Sequence, residues 1–87
     1  MDALKRVSVL MPQWGMSMRD GVVVEWLKAE GDHVARGEDL LEIETDKVMA
    51  RVPATVTGTL VRIVAQPGEV VEVQGLLAEI ETGRDDE

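Results

Sequence analysis

Runs of five or six mostly apolar residues recur along the chain, and turn-forming residues separate them. These runs are rich in valine, whose branched Cβ favours a pleated strand over a helix. In Leu40–Glu44, apolar and acidic residues alternate over the last four positions, which is typical of a strand with one face in water. The pattern predicts six strands, at Val7–Met11, Val22–Leu27, Leu40–Glu44, Val48–Val52, Thr59–Val64 and Leu77–Glu81, with shorter extended segments around Val34 and Val70–Val71.

The segments between these runs contain glycine, proline and acidic residues, which are typical of tight turns. The best helical candidate, Glu25–Glu30, is too short for a helix and is followed by a glycine. Several short strands at this spacing favour an all-β fold, a small antiparallel sandwich or flattened barrel. Strict alternation fails across Val22–Leu27, so the pattern does not indicate which side of that strand is buried.

The chain also repeats itself at an offset of 37 positions. When Gly21–Thr45 is laid over Gly58–Thr82, nine of the 25 positions are identical, including the run Glu-Ile-Glu-Thr that ends both copies. Two copies are too few for a stacked solenoid, which needs at least three. They favour two similar half-sheets packed around one core and related by a pseudo-two-fold axis.

Composition narrows the chemistry that the chain can perform. The 87 residues include no cysteine and a single histidine, His33, which excludes disulfides, a thiol nucleophile, a zinc–thiolate site and a multi-histidine metal centre. Nine basic against 17 acidic side chains give a net charge of −8, which argues against binding a nucleic-acid backbone. Some acidic residues show an alternating spacing that indicates a solvated sheet face rather than a metal site. They are Glu42, Glu44, Asp46, Glu79 and Glu81.

No apolar run approaches the roughly 20 residues that cross a bilayer, and the first residues lack the pattern of a signal peptide. We therefore expect no membrane partner and one small domain that is monomeric in isolation. The expected location is the bacterial cytoplasm, or the mitochondrial matrix if the chain is an excised mature domain.

Asp46 and Lys47 occupy the short connection between two predicted strands, Leu40–Glu44 and Val48–Val52. Strands joined by so short a connection form a hairpin, and aspartate suits its turn because the carboxylate accepts a nearby backbone N–H. A lysine at the tip is held away from the body of the domain. Of the three lysines in the chain, Lys47 is the one that stands at a hairpin tip.

The residues before this lysine form a recognisable motif. A glycine, Gly31, lies sixteen residues before Lys47, and the turn reads Glu44-Thr45-Asp46-Lys47. This stretch resembles the lipoyl attachment signature of 2-oxo acid dehydrogenase complexes. The resemblance implies a flattened barrel of two four-stranded antiparallel sheets.

The resemblance runs over nearly the whole chain and suggests its organisation. We expect an N-terminal tail at 1–6, a lipoyl domain at 7–82 and, at 83–87, the start of a linker or a frayed C-terminus.

The function that the resemblance implies is that of a carrier with no catalytic or metal-binding residues of its own. Lipoic acid would be joined to Lys47 by an amide bond, attached by a lipoate ligase or lipoyl transferase. Its swinging arm would accept an acyl group from a thiamine-diphosphate-dependent decarboxylase and pass it to an acyltransferase catalytic domain. A dihydrolipoyl dehydrogenase would then reoxidise the arm. Glu44, Asp46 and Gly31 are expected to matter for recognition by the ligase.

The irregular segment before the second predicted strand has two interpretations. It contains Trp14, Gly15, Met16, Ser17 and Met18. The tryptophan and the methionines could close the end of a core that lacks other aromatic residues. In lipoyl domains the corresponding loop lies beside the lysine hairpin and helps the decarboxylase to recognise its carrier. The run Trp-Gly-x-Ser-Met most resembles acetoin dehydrogenase carriers, with pyruvate-type and branched-chain complexes as rivals.

Three alternatives remain open from the sequence. A biotinyl carrier domain shares the fold and the hairpin lysine, but that family usually has methionine on both sides of the lysine, where this chain has Asp46 and Val48. The lipoylated carrier of glycine cleavage is longer and has a different lysine turn. An unmodified interaction module would instead bind its partners through Trp14 and the neighbouring methionines.

Overall fold

The computed structural model describes residues 4–46 and 48–83, which form eight β-strands in two sheets. The strands are β1 (Lys5–Leu10), β2 (Asp20–Trp26), β3 (His33–Val34), β4 (Asp39–Glu44), β5 (Met49–Pro53), β6 (Gly58–Ile63), β7 (Val70–Glu72) and β8 (Leu76–Thr82). One sheet has the order β1-β8-β6-β3 and the other β5-β4-β2-β7, with every pair antiparallel. No residue in these two ranges lies in a helix that could cross a membrane.

The prediction of an all-β fold is confirmed, including both short extended segments, which are β3 and β7. The two four-stranded sheets are separate and do not close into a barrel, so the sandwich form of the prediction applies. Boundaries differ by one or two residues, most clearly at β1. This strand begins at Lys5 rather than Val7 because Lys5 and Arg6 pair with Thr82 and Glu81 of β8.

The internal repeat corresponds to a repeat of the sheets. With the 37-residue offset, β2, β3 and β4 correspond to β6, β7 and β8, so that the order β4-β2-β7 in one sheet matches β8-β6-β3 in the other. The register agrees as well, since Val22 pairs with Glu44 in one sheet and Thr59 pairs with Glu81 in the other. The expected pseudo-two-fold arrangement of two half-sheets is therefore confirmed.

A bulge explains why the apolar pattern of the second strand is irregular. The pairing of β2 with β4 shifts between Val23 and Glu25, and the residue between them, Val24, is left out of register. Val23 is buried whereas Val24 is exposed. An extra residue in one strand changes which positions face the core, so strict alternation cannot hold across it.

The core is aliphatic and receives side chains from both sheets. The buried residues are Val9, Met11, Val23, Val34, Leu40, Leu41, Ile43, Val52, Ala54, Leu60, Ala65, Leu77, Ala78 and Ile80. Trp26 of β2 packs against this core, and its indole Nε1–H donates to the carbonyl of Ala65 at 2.8 Å, which links β2 to the segment between β6 and β7.

Two symmetry-related glycines lie in the segments where the chain passes from one sheet to the other, and each bonds to the strand with which the next strand pairs. The Gly31 N–H donates to the carbonyl of Leu60, and the Gly68 N–H donates to the carbonyl of Val23, both at 2.7 Å. Both glycines have φ near +90°, at 95° and 92°, a conformation that side chains disfavour. Gly31 therefore has a structural role in the turn between β2 and β3.

Gln74 has a left-handed backbone conformation, and the equivalent position in the first repeat is occupied by a glycine. Its φ is 74°, and the equivalent residue of the first repeat is Gly37, with φ of 89°. Left-handed backbone costs an L-residue about 1–2 kcal/mol, and glycine recovers part of this at an entropic cost of about 0.5–1 kcal/mol. We expect Gln74→Gly to stabilise the fold by about 0.5–1 kcal/mol, raising Tm by roughly 2–8 °C. Thermal unfolding checks this, and Gly37→Gln, where a Cβ meets nothing within 4 Å, should lower Tm. An unchanged or lower Tm for Gln74→Gly would show that the left-handed backbone at position 74 does not destabilise the fold.

An exposed ion pair joins the turns on either side of β3. Lys28 Nζ lies 2.8 Å from Glu38 Oε2, and Glu38 Oε1 accepts the Ala35 N–H at 2.9 Å. The hydrogen bond from Lys28, followed by that from Ala35, lowers the pKa of Glu38 below its ordinary 4.5, and the bond to Glu38 raises the pKa of Lys28.

The direction of these pKa shifts determines the pH range in which the pair stabilises the fold. The contribution of Glu38 is present above its unfolded pKa and is lost as the pH falls through the lower folded value. That of Lys28 is present below its unfolded pKa and is lost as the pH rises through the higher folded value. We expect Glu38→Gln to reduce the free energy of unfolding slightly at neutral pH, because exposed pairs are weak, and to have no effect in acid. Urea unfolding at several pH values tests this, and an effect that persists in acid would argue against the ion pair.

Candidate functional site

The β4–β5 hairpin is closed by contacts between Thr45 and Val48. The Thr45 N–H donates to the Val48 carbonyl at 2.8 Å, and the Val48 N–H donates to Thr45 Oγ1 at 3.3 Å. Only positions 46 and 47 lie between these two residues in the sequence. Lys47 itself lies outside the described residues, so its role as the attachment point stays a prediction.

The residues that flank position 47 are accessible to solvent. Asp46 is exposed, Val48 is 49% exposed and Met49, the first residue of β5, is 55% exposed. Glu44 pairs with Met49 at the end of the ladder and is also exposed. The predicted hairpin is thus confirmed by the pairing of β4 with β5, and the described residues next to position 47 are exposed.

The loop between β1 and β2 is held together by its own hydrogen bonds. The Gln13 side-chain amide donates to the carbonyls of Met16 and Met18, at 3.4 and 3.2 Å. The Met18 N–H donates to the Gly15 carbonyl at 3.1 Å, and the Trp14 N–H donates to Met18 Sδ at 3.3 Å. These bonds give an irregular segment a defined shape.

The two interpretations of this segment apply to different side chains. Met11 is fully buried and Met18 packs against the core, as expected for residues that close its end. Trp14 is 41% exposed and Met16 is 100% exposed, which suits a surface loop. The core-closing interpretation therefore applies to Met11 and Met18 and not to Trp14 or Met16, whereas the role of the loop in recognition stays a prediction.

The loop and the hairpin tip enclose a surface cavity of about 510 Å³. Its lining comprises Trp14, Gly15, Ser17, Met18, Arg19, Asp20, Thr45, Asp46 and Val48. The structure thus brings four of the five predicted loop residues together with Asp46. Met16, Glu44 and Gly31 are not among the lining residues, and Gly31 lies instead in the turn that contacts Leu60.

Four acidic residues of the sheets, Asp39, Glu42, Glu79 and Glu81, pair with two arginines. Arg51 lies 3.2 Å from Glu42 and 3.6 Å from Asp39, and its hydrogen bond to Glu42 raises its pKa. In the other sheet, Arg6 lies 3.1 Å from Glu79 and 3.7 Å from Glu81. Within residues 4–46 and 48–83, no group of three or more potential ligands could hold a metal ion. His33 is exposed on β3.

Four residues that shape or line the site are not indicated by the sequence. Thr45 belongs to the repeated run and to the turn motif, but neither indicates that its hydroxyl bonds the turn, although a threonine next to a turn often bonds the backbone in this way. Gln13 offers no comparable signal, because its two acceptors become neighbours only once the loop has folded. Arg19 and Asp20 were likewise not expected to line a cavity with the hairpin.

The site can be compared with known proteins. A family model described as "Biotin-requiring enzyme" (Biotin_lipoyl) matches residues 7–80. The structure is similar to the solution structure of the lipoyl domain of the 2-oxoglutarate dehydrogenase complex from Azotobacter vinelandii. The TM-score is 0.70 at 35% sequence identity, and the match covers 85% of this chain and 94% of the other.

Curated relatives share the sequence over most of this chain. The acetyltransferase component of the acetoin cleaving system of Pseudomonas putida is 44% identical over 80 residues, which are 92% of this chain and 22% of the relative. The acetyltransferase component of the pyruvate dehydrogenase complex of Corynebacterium glutamicum is 44% identical over 72 residues, 83% of this chain and 11% of the relative. The chain therefore spans less than a quarter of the length of either protein.

Proposed function

The chain belongs to the biotin/lipoyl domain family, as a lipoyl domain of the kind found in acyltransferase components of 2-oxo acid dehydrogenase complexes, and we propose that Lys47 carries its lipoyl group. The observation that carries this proposal is the closed hairpin: Thr45 and Val48 bond to each other, and the residues next to position 47 are exposed. An amide bond to a lysine requires an accessible amine, and these surroundings fit that requirement.

The residues of this chain present the cofactor, and the cofactor supplies the redox and acyl-transfer chemistry. Forming the amide removes the ammonium charge, which changes the net charge from −8 to −9. The paired strands β4 and β5 hold the attachment point on a rigid element, whereas the arm supplies the reach. Tethering makes each transfer effectively intramolecular and raises the local concentration of the acyl group.

Lipoate is favoured over biotin as the attached group. The family includes both cofactors, but the relatives described above are named as dihydrolipoyllysine acyltransferases, and the similar structure is a lipoyl domain. Asp46 and Val48 also stand where biotinyl carriers usually have methionines. We propose that lipoate ligase or lipoyl transferase attaches the group and that Glu44 and Asp46 contribute to its recognition.

We further propose that the parent protein is an acyltransferase subunit that works with a thiamine-diphosphate-dependent decarboxylase and a dihydrolipoyl dehydrogenase. The identities to the acetoin and pyruvate relatives are equal, at 44%, so sequence identity does not select the acyl group. Reductive acylation of the lipoylated domain by decarboxylases of the acetoin, pyruvate, branched-chain and 2-oxoglutarate types would identify the complex. If none of these decarboxylases acylates the lipoylated domain, this assignment is contradicted.

Incubation with lipoate, ATP and lipoate ligase tests the attachment itself. We expect a mass increase of one lipoyl group, located at Lys47 by peptide mass spectrometry, and no increase for Lys47→Arg. Lys28→Arg is the matched control and should be modified normally, because its ammonium pairs with Glu38 on another part of the surface. A folded domain that gains no mass at Lys47, or that is modified by a biotin ligase instead, would overturn the proposal.

A further inference from the structure

The cavity between the loop and the hairpin lies beside the proposed attachment point. We infer that the lipoyl arm, when carried by Lys47, docks its apolar portion into this cavity against Trp14, Met18 and Val48. The inference rests on the proposed function, and it adds a resting position to an arm that is otherwise expected to move freely.

The residues on either side of the proposed attachment point in the sequence line the cavity. Asp46 and Val48, the residues before and after Lys47, both line it. A group tethered at this point is present at a high effective concentration, so that a weak intrinsic affinity suffices for substantial occupancy. A free small molecule with the same contacts would have to bind from solution without this advantage.

The lining suits the chemistry of the arm. A lipoyl group consists of a hydrocarbon chain and a dithiolane ring, which are apolar, joined to lysine by one amide. Trp14 and Val48 are 41% and 49% exposed, so covering them removes apolar surface from water. A sulfur atom also makes favourable contacts with an aromatic ring, which Trp14 provides. The cavity volume of about 510 Å³ falls within the range of about 300–1,000 Å³ that is usual for small-molecule sites.

Polar groups on the lining can hold the amide end of the arm. Ser17, Arg19 and Asp20 line the same cavity and offer both hydrogen-bond donors and acceptors. A few polar groups among apolar ones are typical of sites that fix the orientation of a ligand. The loop keeps this arrangement because the Gln13 amide bonds to the carbonyls of Met16 and Met18.

Docking would connect the loop to the availability of the arm. A partner surface that covers Trp14 must displace the docked group, and this releases the arm next to that partner. A partner that does not touch the loop meets the arm with its dithiolane partly sheltered from solvent.

The two tryptophans allow a direct test by NMR. We would compare ¹⁵N-labelled domain before and after lipoylation, with the degree of modification at Lys47 verified by mass spectrometry. We expect the Trp14 indole signal to shift and to show nuclear Overhauser contacts to the dithiolane protons. The Trp26 indole, which donates to Ala65 at 2.8 Å and lies outside this cavity, is the internal control and should not change.

Variants and concentration series separate the possible outcomes. Trp14→Ala should abolish contacts between the arm and the Met18 and Val48 methyl groups while lipoylation remains complete. Verified lipoylation with an unchanged Trp14 signal would overturn the docking but not the proposed function, whereas absence of lipoylation would overturn both. A Trp14 shift in the unmodified domain that grows with protein concentration would assign the cavity to a second copy of the chain and overturn the docking.

Discussion

Exchanging the two residues of the hairpin tip, through Asp46→Lys combined with Lys47→Asp, is expected to abolish lipoylation while the fold is retained. The exchange leaves composition and net charge unchanged. Among the described residues, the contacts that close the turn are made by the backbones of Thr45 and Val48 and by the Thr45 hydroxyl, so these contacts require no particular side chain at positions 46 and 47.

The physical reason for the loss is that adjacent positions of a short turn project their side chains in different directions. A ligase that recognises the folded hairpin must align the lysine amine with its activated lipoate, and a misplaced group reacts far more slowly. The modified fraction after incubation with lipoate ligase, measured by mass spectrometry, should fall from nearly complete to undetectable.

Two controls make this result specific. Circular dichroism and the Tm of the exchanged variant should match those of the original domain. Asp46→Asn keeps the lysine in place and removes only the neighbouring charge, so it should slow modification without abolishing it. Normal lipoylation of a lysine at position 46 would show that the ligase does not recognise lysine position on this hairpin.

Much of the fold could be predicted from the sequence because the signals are local. Valine-rich runs and turn residues locate strands without knowledge of their partners. The repeat adds the prediction that the two halves form similar half-sheets around one core. The bulge at Val24 could not be predicted in the same way. Its position depends on how β2 pairs with β4, and the sequence shows it only as a break in alternation.

In the candidate site, too, the local features could be predicted from the sequence and the features that depend on tertiary contacts could not. The hairpin and its lysine follow from a short motif, because every residue involved is a near neighbour in the sequence. The cavity requires Trp14 and Met18 to approach Thr45 and Asp46, about 30 positions away, and no periodic pattern records such an approach. Burial likewise depends on tertiary contacts, which is why Met16 and Met18, two residues apart, differ so strongly in exposure.

The largest effect on stability is expected for Gly58→Ala. A Cβ at Gly58 would collide with the backbone carbonyl of Glu81 and would lie 3.0 Å from Ile80 Cγ2. Glu81 belongs to β8, which is paired with β1 on one side and β6 on the other. Its backbone therefore cannot move away without disturbing hydrogen bonds along both neighbouring strands.

The repeat provides a matched control for this substitution. Gly21 is the equivalent position in the other half, but a Cβ there would meet side-chain atoms first, Ile43 Cγ2 at 2.6 Å and Met11 Cε at 3.3 Å. Side chains can adjust by rotation more easily than a doubly paired strand can shift. Gly21→Ala should accordingly be destabilising, though less so than Gly58→Ala. Gly15→Ala, where a Cβ meets nothing within 4 Å, should be nearly neutral.

The magnitudes make the comparison measurable. Overpacking costs about 1–3 kcal/mol and sometimes more, and we place Gly58→Ala at or above about 3 kcal/mol because backbone atoms are involved. The total stability of a domain of this size is about 4–13 kcal/mol, so such a loss removes a large part of it. At about 4–8 °C per kcal/mol, Tm should fall by roughly 12 °C or more. Equal Tm values for Gly58→Ala and Gly21→Ala would contradict the argument, because the two sites differ chiefly in whether the added carbon meets backbone or side chain.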